Sequence, residues 1–125
     1  MPRQAPWMRA IKKIMGSEQG YTGFVETPTA KTYMVDIYVP IGKSISALKA
    51  KLGSGTSATI KLQKNGIDIT GMTGLVVGNA AVASITPTSP SDGTNFLAVG
   101  DTLSVVVTAV TAPADLAFDI VATAT

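Results

Sequence analysis

The chain has no cysteine and no histidine. Without thiol or imidazole, the usual zinc, copper, haem and iron–sulfur ligand sets cannot be assembled from its own side chains. Ser-His-Asp and Cys-His catalytic sites are excluded for the same reason, and so is a disulfide framework. Charge is scarce too, at 14% of 125 residues. No apolar run approaches the ~18–20 residues of a membrane-spanning helix, because Thr, Ser, Gly and Asp interrupt every candidate. The basic N-terminus is not followed by a continuous apolar stretch, so no secretory signal is expected.

What the chain does have is β-branched residues: 16 Thr, 12 Val and 10 Ile. These side chains fit the pleated, half-buried surface of a sheet and lose rotamer freedom in a helix. Twelve Gly and seven Pro supply punctuation for many short strands. The expected fold class is all-β: a single β-sandwich, jelly-roll or Ig-like, of about eight strands, behind an N-terminal arm with a short amphipathic helix. The expected division is 1–32 for arm and connector and 33–125 for the sandwich.

The net charge of +2 conceals a segregation along the chain. Residues 1–16 carry Arg3, Arg9, Lys12 and Lys13 with no acid, and residues 17–64 carry six lysines against Glu18, Glu26 and Asp36. Residues 65–125 contain neither Lys nor Arg, and hold Asp68, Asp92, Asp101, Asp115 and Asp119. Such asymmetry points to a surface-binding arm or a polar assembly contact. The plainer alternative is that Lys and Asp solubilise different strands.

Residues 6–15, PWMRAIKKIM, have the pattern of one short amphipathic helix. At 100° per residue, Trp7, Met8, Ala10, Ile11, Ile14 and Met15 fall on one side and Arg9, Lys12 and Lys13 on the other. Pro6 suits the first helical position and Gly16 the stop. A helix of under three turns is marginal alone, so its order would come from docking its apolar face. The docking ground could be a partner protein, the chain's own body or a membrane surface. The candidate partner-binding residues are Trp7, Met8, Arg9, Ile11, Lys12, Lys13 and Ile14.

Past a Gly- and Thr-rich connector with one strand near 21–25, strands are expected at 33–39, 44–52, 57–64, 67–70, 72–77, 80–86, 96–99, 103–111 and 116–123. Leu48, Ala50 and Leu52 alternate with Lys49 and Lys51, and Ala58, Ile60 and Leu62 with Thr59, Lys61 and Gln63, which marks one buried and one wet face. Gly53-Ser54-Gly55 reads as a turn between strands, and Asn65-Gly66 as a type I′ hairpin. Gly78-Asn79 reads as the centre of a second hairpin-like pair. Leu103, Val105, Val107 and Ala109 form one face, but Val106 and Val110, and later Ala117 and Val121, make the other face partly apolar. Such strands are central or covered by a partner subunit.

Motifs with chemistry are weak. Gly42-Lys43-Ser44 resembles the tail of a phosphate loop, but Ile37 stands where its first glycine belongs and no helix follows. Ser46-Ala47-Leu48-Lys49 matches S-x-x-K on a strand, where the two functional groups would point apart. Ser91-Asp92-Gly93-Thr94-Asn95 lacks the ligand spacing of a calcium loop. No cofactor or metal is expected. A sugar platform needs an exposed aromatic, while the only Trp is in the arm and Phe96 and Phe118 sit in core-like positions. No aromatics interleave with the lysines for base stacking, so no nucleic-acid partner is expected.

From Tyr33 onward the order of features resembles small β-sandwich, jelly-roll-like virion proteins of tailed bacteriophages, of head decoration, head fibre or appendage type. The residues that carry this are V-P-x-G-x-x-I (Val39 to Ile45), L-x-A-x-L-G-S-G-T (Leu48 to Thr56) and the strand–NG–strand unit Ile60–Ile69. F-L-A-V-G-D-T-L-S-V-V-V-T (Phe96 to Thr108) and L-A-F-D-I (Leu116 to Ile120) complete it. The resemblance implies a non-enzymatic virion protein, commonly trimeric, attached through its N-terminal segment to a neighbouring capsid or appendage protein. No membrane association is implied. A carbohydrate- or receptor-binding module is the alternative.

Overall fold

The computed structural model of the chain describes residues 20–88 and 93–124. The described residues contain strands and turns and no helix, so the all-β expectation holds. The helix expected over residues 6–15 lies outside them.

Two strands dominate: β3 (Lys43–Lys64) and β8 (Leu103–Ala124), each of 22 residues. They pair antiparallel from Lys43↔Ala124 to Lys64↔Leu103. Along the free edge of β8 run β1 (Tyr21–Val25), opposite 116–120, and β2 (Thr32–Asp36), opposite 103–106. Four short strands run along the other edge of β3: β4 (Ile67–Asp68), β5 (Leu75–Val77), β6 (Ala83–Ile85) and β7 (Phe96–Leu97). All eight belong to one antiparallel sheet. The Gly78-Asn79 segment is therefore not a hairpin, since β5 and β6 each pair with β3.

A straight strand of this length would span ~70 Å, yet the two ends of β3 meet. Lys64 Nζ donates to Phe96 O at 2.9 Å, and Phe96 is the ladder partner of Ser44. The sheet is folded across a corner where Gly53-Ser54-Gly55 faces Ala112–Asp115. Gly55 has φ +92, and a Cβ there would run into the carbonyl of Ala112. Ala112 (φ 43) and Asp115 (φ 57) also take left-handed backbone. The glycines expected to reverse the chain bend it instead. The corner is braced on both sides: Asp115 N donates to Glu26 O, and Asn79 Nδ2 donates to Gly55 O at 2.6 Å.

Folding brings the inner faces of both halves onto one core. Leu48, Ala50 and Leu52 come from one half of β3 and Ala58, Ile60 and Leu62 from the other, all buried as the alternation predicts. Two bulges correct the phase. Ser46 is an extra residue in β3, so Lys43 and Ile45 are buried on odd positions and Leu48 onward on even ones. Thr108 is an extra residue in β8, and it turns Ala109 out to solvent although Leu103, Val105 and Val107 point in. The partly apolar outer face of β8 goes with its central place in the sheet. Phe118 is core, as expected, with its ring over Gly23; Phe96 is not, being 39% exposed.

The charge segregation disappears in space. β3, with its lysines, lies against β8, with its aspartates, so that Lys49 faces Asp119 directly. Lys61 Nζ lies 2.9 Å from Asp68 Oδ1 across the β3–β4 hairpin. Six lysines in the described residues balance six acids, so the net positive charge of the chain resides in residues 1–19.

Candidate attachment surface

The partner-binding candidates Trp7, Met8, Arg9, Ile11, Lys12, Lys13 and Ile14 lie outside the described residues. What the structure describes is the ground from which that segment departs. Gly20 lies against the backbone of Ile120 and Ala122, near the end of β8. This is the end of the molecule where β3 begins and β2 stops.

A clasp of three side chains holds that end together. The Tyr21 hydroxyl donates to Asp36 Oδ2 at 2.5 Å and accepts from Lys43 Nζ at 2.9 Å. Lys43 Nζ also sits 4.6 Å from the centre of the Tyr21 ring, a cation–π contact. Tyr38 N donates to Asp36 Oδ1 at 3.0 Å, which fixes the carboxylate from its other side. The three residues come from β1, β2 and β3, so the clasp closes the fold where its two halves meet. Burial, then the hydrogen bond to the Asp36 carboxylate and its charge, push the Tyr21 hydroxyl above its ordinary range. Burial pulls Lys43 down against the opposing pull of Asp36. A tyrosine that holds its proton this firmly is a bridge, not a base. Lys43, the middle of the apparent phosphate-loop tail, is thereby a buried structural cation.

Beyond the clasp, two loops form the tip. Val39 N donates to Asp101 O, and Gly100 N to Val39 O, both at 2.9 Å. The joined loops expose Ile37 (74%), Tyr38 (63%), Ile41 and Val99 (58%). The ionisable groups nearby are engaged by hydrogen bonds: Asp36 is in the clasp, Asp101 accepts from Asn65 Nδ2 and Ala98 N, and Lys64 donates to Gly93 O and Phe96 O. The Asn65 hydrogen bond, then the Ala98 amide, hold the Asp101 carboxyl below its usual range. The tip is therefore an apolar surface with the hydrogen-bonded Asp101 carboxylate beside it. The tip is hidden in the sequence because Ile37, Tyr38 and Val99 continue the expected strands 33–39 and 96–99, whose alternation would bury some of them. The one available signal was V-P-x-G, which ends a strand at Val39 and starts a loop.

Depressions also lie elsewhere among the described residues. One, of about 250 Å³, opens between the free edges of β1 and β2 and is lined by Phe24, Tyr33, Met34 and Phe118. Another, of about 390 Å³, is a shallow hollow on the outer face over Ala117, between Lys49, Lys51 and Asp119. Among the described residues no group of three or more Asp or Glu could hold a metal ion. No described helix is long and apolar enough to cross a membrane. Ser46 Oγ, the hydroxyl of the S-x-x-K match, donates to Val121 O at 3.2 Å.

No protein-family model matches the chain, and no curated protein does. Among solved structures, a chain of the cyanophage Pam1 capsid asymmetric unit aligns with 100% of this chain and 91% of its own length, at TM-score 0.51 and 14% identity. At that identity the likeness is one of fold. The catalytic unit of a thermostable GH87 α-1,3-glucanase from Streptomyces thermodiastaticus strain HF3-3 aligns with 84% of this chain and 26% of its own, at TM-score 0.42 and 14% identity.

Proposed function

We propose that the chain is a non-enzymatic bacteriophage virion protein, of capsid decoration, cement or short-appendage type. In this reading it attaches to a neighbouring capsid or appendage protein through residues 1–16 and works as a homo-oligomer, a trimer being favoured. The folded sheet acts as a jelly-roll-like two-layer body, and neither nucleic acid nor membrane is a partner. The observation that carries the reading is the full-length fold likeness to a chain of a cyanophage capsid asymmetric unit. The charge layout supports it: the described body is neutral, while Arg3, Arg9, Lys12 and Lys13 form a basic segment beside the apolar side chains of Trp7, Ile11 and Ile14. Apolar burial would supply affinity, and the basic side would select an acidic partner surface.

Deleting residues 1–16 is expected to abolish occupancy on particles while the melting transition of the body persists. Full occupancy by the truncated chain would overturn the assignment. The second reading, a glycan-binding module, is favoured by Phe24 (62% exposed) and Tyr38 (63%), which provide apolar ring surface in the body. Reproducible binding of one sugar class on a glycan array would select it.

A further inference from the structure

The apolar tip stands at the end of the body where the described chain begins. The tip exposes Ile37, Tyr38, Ile41 and Val99 on two loops bonded to each other. Apolar loops are unusual, since exposed connections are normally polar, and contiguous apolar surface of this kind marks a contact site. The chain enters the body beside it. Tyr21 reaches Asp36 with its own hydroxyl, and Asp36 adjoins Ile37, so one tyrosine and one aspartate side chain bridge the start of β1 and the loop that carries Ile37.

We propose that the tip is the seat of the chain's own N-terminal segment, with Trp7, Ile11 and Ile14 covering Ile37, Tyr38 and Val99 in the unassembled protein. Length permits this. Residues 16–19 can span ~13 Å when extended, and a ten-residue helix over 6–15 is ~15 Å long. Chemistry favours it over a soluble partner. A helix of under three turns gains order only by docking, and so short a tether holds it at millimolar effective concentration over the nearest apolar surface. In this arrangement Arg9, Lys12 and Lys13 face water on the opposite side of the segment. In the free protein, attachment through the segment then requires lifting it from the tip, so both apolar surfaces become available together. This holds whether or not the particle assignment is right, because it concerns the isolated chain.

Trp7 is the only tryptophan, which makes its fluorescence a direct reporter. In the full chain its emission should be blue-shifted, and acrylamide should quench it several-fold less than free tryptophan. Ile37→Ser and Val99→Ser, both at exposed positions, should restore fast quenching without changing the melting temperature of the body. A solvent-exposed Trp7 in the wild-type chain overturns the proposal. So does protection that is indifferent to both substitutions. The chain also has no cysteine of its own, so an Ile14→Cys, Val99→Cys variant can be oxidised cleanly. A disulfide within one chain supports the seat; a disulfide joining two chains assigns it to a neighbouring copy and overturns the proposal.

Discussion

Replacing Tyr21 by Phe removes one oxygen atom and keeps the ring, so it isolates the clasp. The hydroxyl makes two charge-assisted hydrogen bonds, one from Lys43 at 2.9 Å and one to Asp36 at 2.5 Å. Such bonds contribute about 1.5–3 kcal/mol each. Lys43 is only 3% exposed, so water cannot readily stand in for the Tyr21 hydroxyl there, while the half-buried Asp36 is more open to it. The expected loss is therefore about 2–4 kcal/mol, or roughly 10 °C in melting temperature for a chain of this size. Urea denaturation followed by far-UV circular dichroism measures it, and an Asp36→Asn double-mutant cycle assigns the coupling. The alkaline limb provides a second reading. Unfolded, Tyr21 titrates near 10.0; folded, it keeps its proton to higher pH. The unfolded chain then binds fewer protons above pH 10, so this contribution is complete below pH 10 and is lost above it, by up to ~1.36 kcal/mol per pH unit. Lys43 acts in the opposite sense. Its lowered folded value makes stability rise with pH, but only up to its unfolded 10.5. Tyr21→Phe should flatten the decline above pH 10.5. A loss under ~0.5 kcal/mol, the range of featureless surface substitutions, or an unchanged alkaline slope would refute the clasp.

Three further outcomes follow from particular contacts. A Cβ at Gly23 would press into the Phe118 ring, so Gly23→Ala should cost about 1–3 kcal/mol, and Phe118→Leu in the same chain should recover part of it; additive losses in thermal melts would refute the contact. Gly55→Ala meets both a positive φ and the Ala112 carbonyl, whereas Gly66→Ala meets a positive φ in open space. Gly66→Ala should cost about 1–2 kcal/mol and Gly55→Ala clearly more, and equal midpoints in urea would contradict the corner. Asp68 is held below its usual range first by Gln63 and then by Lys61. Its contribution is present above the unfolded carboxylate value near 3.8 and fades as pH falls through the lower folded value. Gln63→Ala should raise the Asp68 titration midpoint followed by NMR; a fixed midpoint would sink that assignment.

Sequence reading reached some elements because their physics is local. Asn65 and Gly66 take φ 54 and φ 79, as the hairpin signal predicts, since both residue types tolerate positive φ. The burial of Leu48, Ala50, Leu52, Ala58, Ile60 and Leu62 follows from alternation in a pleated strand. A strand at Tyr21–Val25 was expected, but its place on the edge of β8 was not, because pairing partners leave no mark in a five-residue stretch. Phase failed wherever a bulge intervened: nothing local distinguishes Ser46 or Thr108 from an ordinary ladder residue. The candidate attachment residues are a case apart. Their amphipathic spacing is legible in the sequence, while the ground that could receive them is made of loops far apart along it.

By itself the sequence determined the chemistry that is impossible here, the all-β class, the inward-facing residues of the long strands and a basic segment ahead of a β-rich body. Only the tertiary structure decided that Gly53-Ser54-Gly55 bends a strand rather than ending it. Glycine supplies the same left-handed backbone to a turn and to a corner, and the difference lies in whether the next segment finds a new partner or continues along the old one. Here 103–111 and 116–124 are one strand, so the chain folds the sheet instead of reversing. That choice places lysines against aspartates and joins Tyr21, Asp36 and Lys43. It also sets Ile37, Tyr38 and Val99 beside the start of the body, because these contacts depend on distances through space that spacing along the chain does not encode.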